Sequence, residues 1–151
     1  MIDGLNKLHV YQGAQELAKL VYQSVIPQMP PEEKYGLNQQ IRRAAASVPA
    51  NIAEGYGRYY YQESIRFCYL ARGSLMDLSS HLELAASQGY VSDEVEIFVN
   101  EKIMVLLKLI HGYIKYLKES KRGDREPGSH SVSEDLTAYF IENQIDLDGS
   151  R

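Results

Sequence analysis

The chain has 151 residues, a length that suits one domain, and its 44% hydrophobic and 24% charged content is typical of a globular protein. It contains one cysteine, Cys68, which excludes an internal disulfide and fits a reducing compartment. We find no signal peptide and no apolar run of the ~20 residues that a membrane span needs. A cytoplasmic protein without a membrane partner is therefore expected.

The net charge of −4 is unevenly distributed along the chain. Residues 1–122 carry 14 Lys and Arg against 13 Asp and Glu, whereas residues 123–151 carry 2 against 7. The body is thus nearly neutral and the acidity belongs to the tail. Within the body, residues 34–72 hold six basic residues against two acidic ones, a pattern that is usually a solvated helix face.

Two amphipathic helices are predicted in the first part of the chain. The first runs from about Lys7 to Ile26, where prolines end it, and the second from about Pro31 to Tyr56. Pro49 lies inside the second helix and predicts a kink there. Small residues recur on more than one face of this helix, which indicates contacts beyond a single core; they are Ala44, Ala45, Ala46, Ser47, Ala50, Ala53 and Gly55.

Two further helices are predicted from about Tyr60 to Gln88 and from Ser92 or Asp93 to about Lys121. Gly89 ends the third helix in the usual C-terminal position. The apolar arc of the third helix is wider than one core requires, which suggests a second buried surface. The residues that widen this arc are Phe67, Leu70, Ala71 and Met76.

The predicted fold is all-α, an antiparallel up-down-up-down four-helix bundle over residues 1–121. Residues 122–151 are expected to form a linker and a partly disordered acidic tail. Their pattern allows one short amphipathic helix over about 132–145, carried by Leu136, Tyr139, Phe140 and Ile145. Such a short helix is marginal alone, so it is expected to fray more often than to dock.

No catalytic residue, metal site or cofactor is predicted. Bundles that hold paired metal ions use Glu-x-x-His pairs, and no Glu precedes a His by three residues in this chain. Cys68 lies on the inward stripe of its helix and is expected to be a buried structural thiol. The sequence therefore predicts a protein that is not an enzyme.

A basic, tyrosine-rich segment joins the second and third predicted helices. Its candidate contact residues are Arg42, Arg43, Arg58, Tyr59, Tyr60, Tyr61 and Arg66. Arginine pairs with phosphate and tyrosine stacks on bases, so the combination suits RNA or DNA. The same residue types are also enriched in protein interfaces, and this interpretation is favoured because the whole chain is negatively charged.

Asn51 and Glu54 lie at or near the packed side of the second predicted helix. If they are buried, both need hydrogen-bond partners. Arg42, Arg43 or Arg58 could supply a partner for Glu54. A structural network is favoured over catalysis by Glu54.

The run from Tyr35 to Ala45, with Ser47 to Arg58, resembles the four-helix bundle family of 23S rRNA intervening-sequence proteins. Leu8 to Tyr11, Arg66-Phe67 and Gly73 to Leu75 fit the same pattern. The resemblance covers roughly residues 5–118. Many members place Ser or Thr after the Gly-Tyr-Gly-Arg element to cap the third helix, whereas this chain has three tyrosines.

The resemblance implies a bacterial homopentamer without established enzymatic activity. Related bundles are accessory proteins of diversity-generating retroelements, in which a basic pentamer engages reverse transcriptase and nucleic acid. It places Arg42, Arg43, Asn51, Glu54 and Arg58 at motif positions, while Pro49 and Gly55 complete a structural motif. Two hypotheses follow: a homo-oligomeric scaffold for a protein or nucleoprotein partner, or direct binding of RNA or DNA through the segment's arginines and tyrosines.

Overall fold

A computed structural model describes residues 3–120 of the chain. The α-helices of this part are α1 (Asp3–Asn6), α2 (His9–Leu20), α3 (Leu37–Tyr56), α4 (Tyr61–Ser87) and α5 (Asp93–Glu119). Residues 3–120 contain no strand, which confirms the all-α prediction. The predicted linker, acidic tail and short helix beyond Lys121 lie outside the described residues.

The four long helices, α2 to α5, each pack against two neighbours in a closed cycle, since α2 contacts both α3 and α5, and α4 contacts α3 and α5. Contacts between α4 and α5 join the last part of one helix to the first part of the other. Ser79 donates to Asn100 at 2.8 Å, whereas Lys118 lies 5.8 Å from the Tyr69 ring centroid. This order is that of antiparallel neighbours, as in a four-helix bundle.

The core runs the length of the bundle and consists of aliphatic side chains with few polar atoms. Its largest fully buried members are Ile41, Ile52, Ile65, Leu75, Leu78, Leu82, Ile103, Leu107, Ile110, Ile114 and Val21. Ala71 is also fully buried, so it belongs to this core and not to a second surface on α4. No helix of residues 3–120 is long and apolar enough to cross a membrane.

The second long helix begins at Leu37, later than the predicted start at Pro31. Pro31–Glu33 form a separate 3-10 turn, and Gly36 has a non-helical backbone with φ −106° and ψ −118°. The Glu33 carboxylate accepts the backbone N–H of Leu37 at 2.8 Å and so caps the new helix. Glu32 and Glu33, which fall within the predicted helix, therefore lie just before its observed start.

The first long helix, α2, ends at Leu20, before the predicted Ile26, and is followed by a π-helical turn, Val21–Val25, and a 3-10 turn, Ile26–Gln28. The end of α4 and the start of α5 follow the predicted signals. Ser92 caps α5 by accepting the Val95 backbone N–H at 3.3 Å, and Gly89 has the left-handed φ of +74° after α4. The helix α3 continues without interruption through Pro49, which is buried. The kink at that proline stays a prediction.

Candidate interaction surfaces

The predicted arginines do not form one patch. Arg42 lies on α3 with its guanidinium 5.1 Å from the Tyr22 ring centroid, and its Nε donates to Asn38 at 3.0 Å. Arg43 is exposed on the same helix. Arg58 follows the end of α3, sixteen residues from Arg42 or about 24 Å at the α-helical rise. The basic segment is therefore divided between the first turns of α3 and the opposite end of that helix.

Arg58 supplies the partner of Glu54, which was one of the predicted pairings. Its guanidinium lies 2.5 Å from the Glu54 carboxylate and 4.9 Å from the centroid of the Phe67 ring. The two charged side chains are 41% and 53% exposed, so this is a surface ion pair. Surface pairs contribute roughly 0–1 kcal/mol. The arginine is thus partly neutralised and partly held against α4.

The three tyrosines differ in their surroundings. Tyr59 is 88% exposed, and its ring meets that of Tyr60 edge to face with centroids 5.0 Å apart. Tyr61 is the first residue of α4 and is half-buried. The α4 N-terminus has no side-chain cap, as the replacement of a usual Ser or Thr suggested. Arg66 lies further along α4 and is exposed.

The other motif residues serve the packing of α3. Pro49 and Gly55 are buried, and the half-buried Asn51 donates from Nδ2 to the backbone carbonyl of Ser47 at 2.9 Å. Ser64 of α4 donates to the Gly55 carbonyl at 2.5 Å. This pairing of a glycine with a serine brings α3 close to α4 at their shared turn.

The main exposed apolar surface lies on α5. It is formed by Phe98, Val105, Leu109 and Tyr116, which are 46%, 57%, 40% and 64% exposed. Their spacings of 7, 4 and 7 residues place them on one side of the helix, beside its core-facing residues. We call this set the α5 stripe. Such spacing is typical of a seam against another helix.

The predicted surplus on α4 is smaller than the α5 stripe. Leu70, Met76 and Leu84 are 50%, 37% and 49% exposed, but Phe67 is half-buried and lies under Arg58. Sequence reasoning followed only the core-facing residues of the fourth predicted helix and so missed its outer stripe. The spacing of 7, 4 and 7 was the signal that could have revealed it.

A groove of about 300 Å³ runs between α2 and the α5 stripe. Its apolar lining comes from Leu17, Leu20, Phe98, Val105, Leu106 and Leu109. Gly13 also lines it and gives α5 room to approach, while Glu16 and Lys102 add one charge of each sign. The groove is thus an apolar strip with a polar edge, the usual layout of a protein-binding surface.

Burial shifts the pKa of two titratable side chains that face the interior of the bundle. Burial raises the pKa of the Cys68 thiol to about 12, and burial with neighbouring Cys68 and tyrosines raises the pKa of Tyr113 to about 12. The Cys68 thiol is therefore protonated near neutral pH and a poor nucleophile. Among residues 3–120, no three His, Cys, Asp or Glu side chains are grouped to hold a metal ion.

Residues 6–112 match the family model described as 23S rRNA-intervening sequence protein. The chain belongs to this family. The match includes α2, α3 and α4 and most of α5, so the motif positions on α3 and the greater part of the α5 stripe lie inside the family region. No curated protein is similar enough to the chain to count as a match.

The fold of this 23S rRNA-intervening sequence protein is similar to that of a solved protein of the S23 ribosomal protein family from Bacteroides thetaiotaomicron, described as having unknown function. The two share 23% identity with a TM-score of 0.61. The alignment covers 70% of this chain and 98% of the other. The two chains therefore share a fold over nearly the whole length of the other protein.

Proposed function

We propose that this family member is a non-enzymatic, cytoplasmic homo-oligomeric scaffold that organises a protein or nucleoprotein partner. The resemblance described above suggests five copies. A ring of identical copies needs two different faces of each copy to meet. The α5 stripe is one suitable face, and the exposed small residues Ala46 and Ala50 of α3 offer another.

The observation that carries this proposal is the α5 stripe. Its four large side chains are 40–64% exposed and follow the spacing of a helix–helix seam. Large contiguous apolar patches are uncommon on the surface of monomers and are typical of interaction sites. A neighbouring copy that covers the stripe would remove this apolar area from water, at about 25 cal/mol per Å².

Light scattering of the full chain tests the proposal. The expected mass is a multiple of the 17.2 kDa chain mass, and five times that mass for the pentamer. Val105→Asp places a charge in the stripe and should lower the mass toward that of one chain. Ser80→Asp adds the same charge to an exposed site on α4 and should leave the mass unchanged. A single-chain mass at every concentration would rule out the scaffold.

Direct binding of RNA or DNA is the second candidate, and the turn before α4 supports it. The Tyr59 ring is almost fully exposed and stands beside Arg58, with the exposed Arg66 nearby in sequence. An exposed ring of this kind can stack on a base, which is worth about 1–3 kcal/mol per base. The ion pair with Glu54 reduces the charge that Arg58 offers to a phosphate.

Filter binding at several salt concentrations tests this second candidate. Affinity should fall steeply as salt increases, because phosphate contacts release counterions. Arg66→Ala should weaken binding at all sequences and reduce the salt dependence, and Tyr59→Ala should weaken binding with little change in salt dependence. Absence of binding at low salt would exclude this function, and equal binding by both variants and the unchanged chain would exclude this surface as the site.

A further inference from the structure

The α5 stripe has a complementary segment within its own chain. We propose that residues 132–145 dock as a short helix on the α5 stripe of the same molecule and compete there with a second copy. The docking stands on the described groove and on the tail sequence. The competition rests on the proposed function, because it requires that a second copy uses the same surface.

The tail segment has the pattern of a helix that needs a partner. Leu136, Tyr139 and Phe140 are spaced by three and one, so they lie on one side of a helix. A helix of about fourteen residues is marginal alone in water. Burial of three large apolar side chains in a groove would supply the missing stabilisation, at roughly 1.5–3 kcal/mol for each fully buried aliphatic or aromatic side chain.

Charge favours this pairing over most alternatives. Residues 102–118 of α5 carry four lysines and no acidic residue, whereas residues 132–148 carry five acidic residues and no basic one. Lys102 lines the groove itself. Opposite potentials promote encounter and set orientation, so the acidic segment is attracted to this lysine-bearing half of α5.

The chain between the two partners is long enough for the segment to fold back. The helix α5 ends at Glu119, and twelve residues separate it from position 132. That connection can span up to about 40 Å when extended. A docked helix that runs antiparallel to α5 could begin near Gly112, only about 10 Å back along the axis. It would end near Phe98 and so cover three of the four stripe residues, Phe98, Val105 and Leu109.

Tethering determines which occupant covers the stripe at low protein concentration. A short flexible connection gives the tail an effective concentration in the millimolar range. A second copy must then displace the tail. The apparent association constant of assembly is therefore the intrinsic one multiplied by the fraction of chains whose stripe is open. The tail is therefore expected to shift assembly to higher protein concentration without preventing it.

Disulfide trapping in the full chain tests the docking directly. Val105→Cys with Tyr139→Cys should form a disulfide within one chain, at a rate that does not depend on protein concentration. Gln39→Cys with Tyr139→Cys is the control, because Gln39 is exposed on α3 away from the groove. Cys68 is buried, so it does not compete for oxidation in the folded chain. Trapping no faster than the control, or disulfides only between chains, would overturn the docking.

A second measurement separates the docking from its effect on assembly. Leu136→Asp with Phe140→Asp should shift the midpoint of assembly to lower protein concentration, while Ala138→Asp, which lies on the opposite side of the tail helix, should not shift it. An unchanged midpoint with positive trapping would overturn the competition and leave the docking. A single-chain mass in every variant with positive trapping would overturn the proposed scaffold, and with it the competition, and leave the docking.

Discussion

Ser64 on α4 donates its hydroxyl hydrogen to the backbone carbonyl of Gly55 on α3, with an oxygen–oxygen distance of 2.5 Å. Both residues are buried. A Cβ atom at position 55 would lie 2.8 Å from Cβ of Phe67, so the two backbones approach as closely as glycine allows. This contact joins α3 to α4 directly after the turn that carries the exposed tyrosines.

Loss of the Ser64 hydroxyl should destabilise the bundle modestly. In Ser64→Ala, the Gly55 carbonyl keeps the weaker bond from the Arg58 backbone N–H at 3.2 Å, so it is not left without a partner. The expected loss is about 1 kcal/mol, the net contribution of one hydrogen bond. Urea denaturation measures it, with Ser80→Ala on the exposed side of α4 as the control. A Ser64→Ala chain as stable as the control would show that the bond contributes nothing.

Two glycine-to-alanine substitutions should have opposite effects on stability. Gly55→Ala gains about 1 kcal/mol of helix propensity but must push against Phe67 and the Ser64 carbonyl, at a cost of about 1–3 kcal/mol. Gly73→Ala, within α4, meets no atom within 4 Å and should stabilise the chain by roughly 0.5–1 kcal/mol. Thermal unfolding of both variants measures the two effects. A higher midpoint temperature for Gly55→Ala than for Gly73→Ala would contradict the close contact of Gly55 with α4.

The stability of the bundle should fall at alkaline pH. Burial raises the pKa of Cys68 from 9.0 to about 12, so between these values the unfolded thiol ionises while the folded thiol stays protonated. The stabilisation is complete below pH 9 and is lost as pH rises toward 12, by up to about 1.4 kcal/mol per pH unit. Tyr113, raised from 10.0 to about 12, adds to the loss above pH 10.

Urea denaturation between pH 8 and 10 measures this loss, before Tyr113 contributes strongly. Cys68→Ala removes the titrating thiol, so its free energy of unfolding should change less with pH over that range than that of the unchanged chain. The comparison concerns the slope with pH and not the absolute stability, which the lost side chain also lowers. Equal slopes would mean that Cys68 ionises as easily in the folded chain as in the unfolded one.

The helices could be predicted because each carries a clear apolar period and a recognisable end signal. Ser92 and Gly89 acted as the sequence indicated. The predicted start of α3 was wrong because the helix begins only where the Glu33 carboxylate accepts the backbone N–H of Leu37. This bond depends on the conformation of the turn after Pro31. The conformation of this turn depends on tertiary contacts, which the spacing of apolar residues does not reveal.

The surfaces were harder to predict than the helices. The contact of Gly55 with Ser64 requires the relative position of two helices, which residue spacing alone does not determine. The width of the apolar arc on α4 was read as a second surface, yet Ala71 faces the core. On α5, the prediction named only core-facing residues and did not include Val105 and Leu109, which belong to a second apolar stripe.

The central claim is that the α5 stripe is covered in the native protein, by a second copy or by the tail. Thiol labelling of Leu109→Cys in the full chain tests it most directly, with Ser80→Cys as the exposed control and the buried Cys68 left in place. We expect Leu109→Cys to react much more slowly than Ser80→Cys, and denaturant to abolish the difference. Labelling of both positions at the same rate in the folded chain would contradict it.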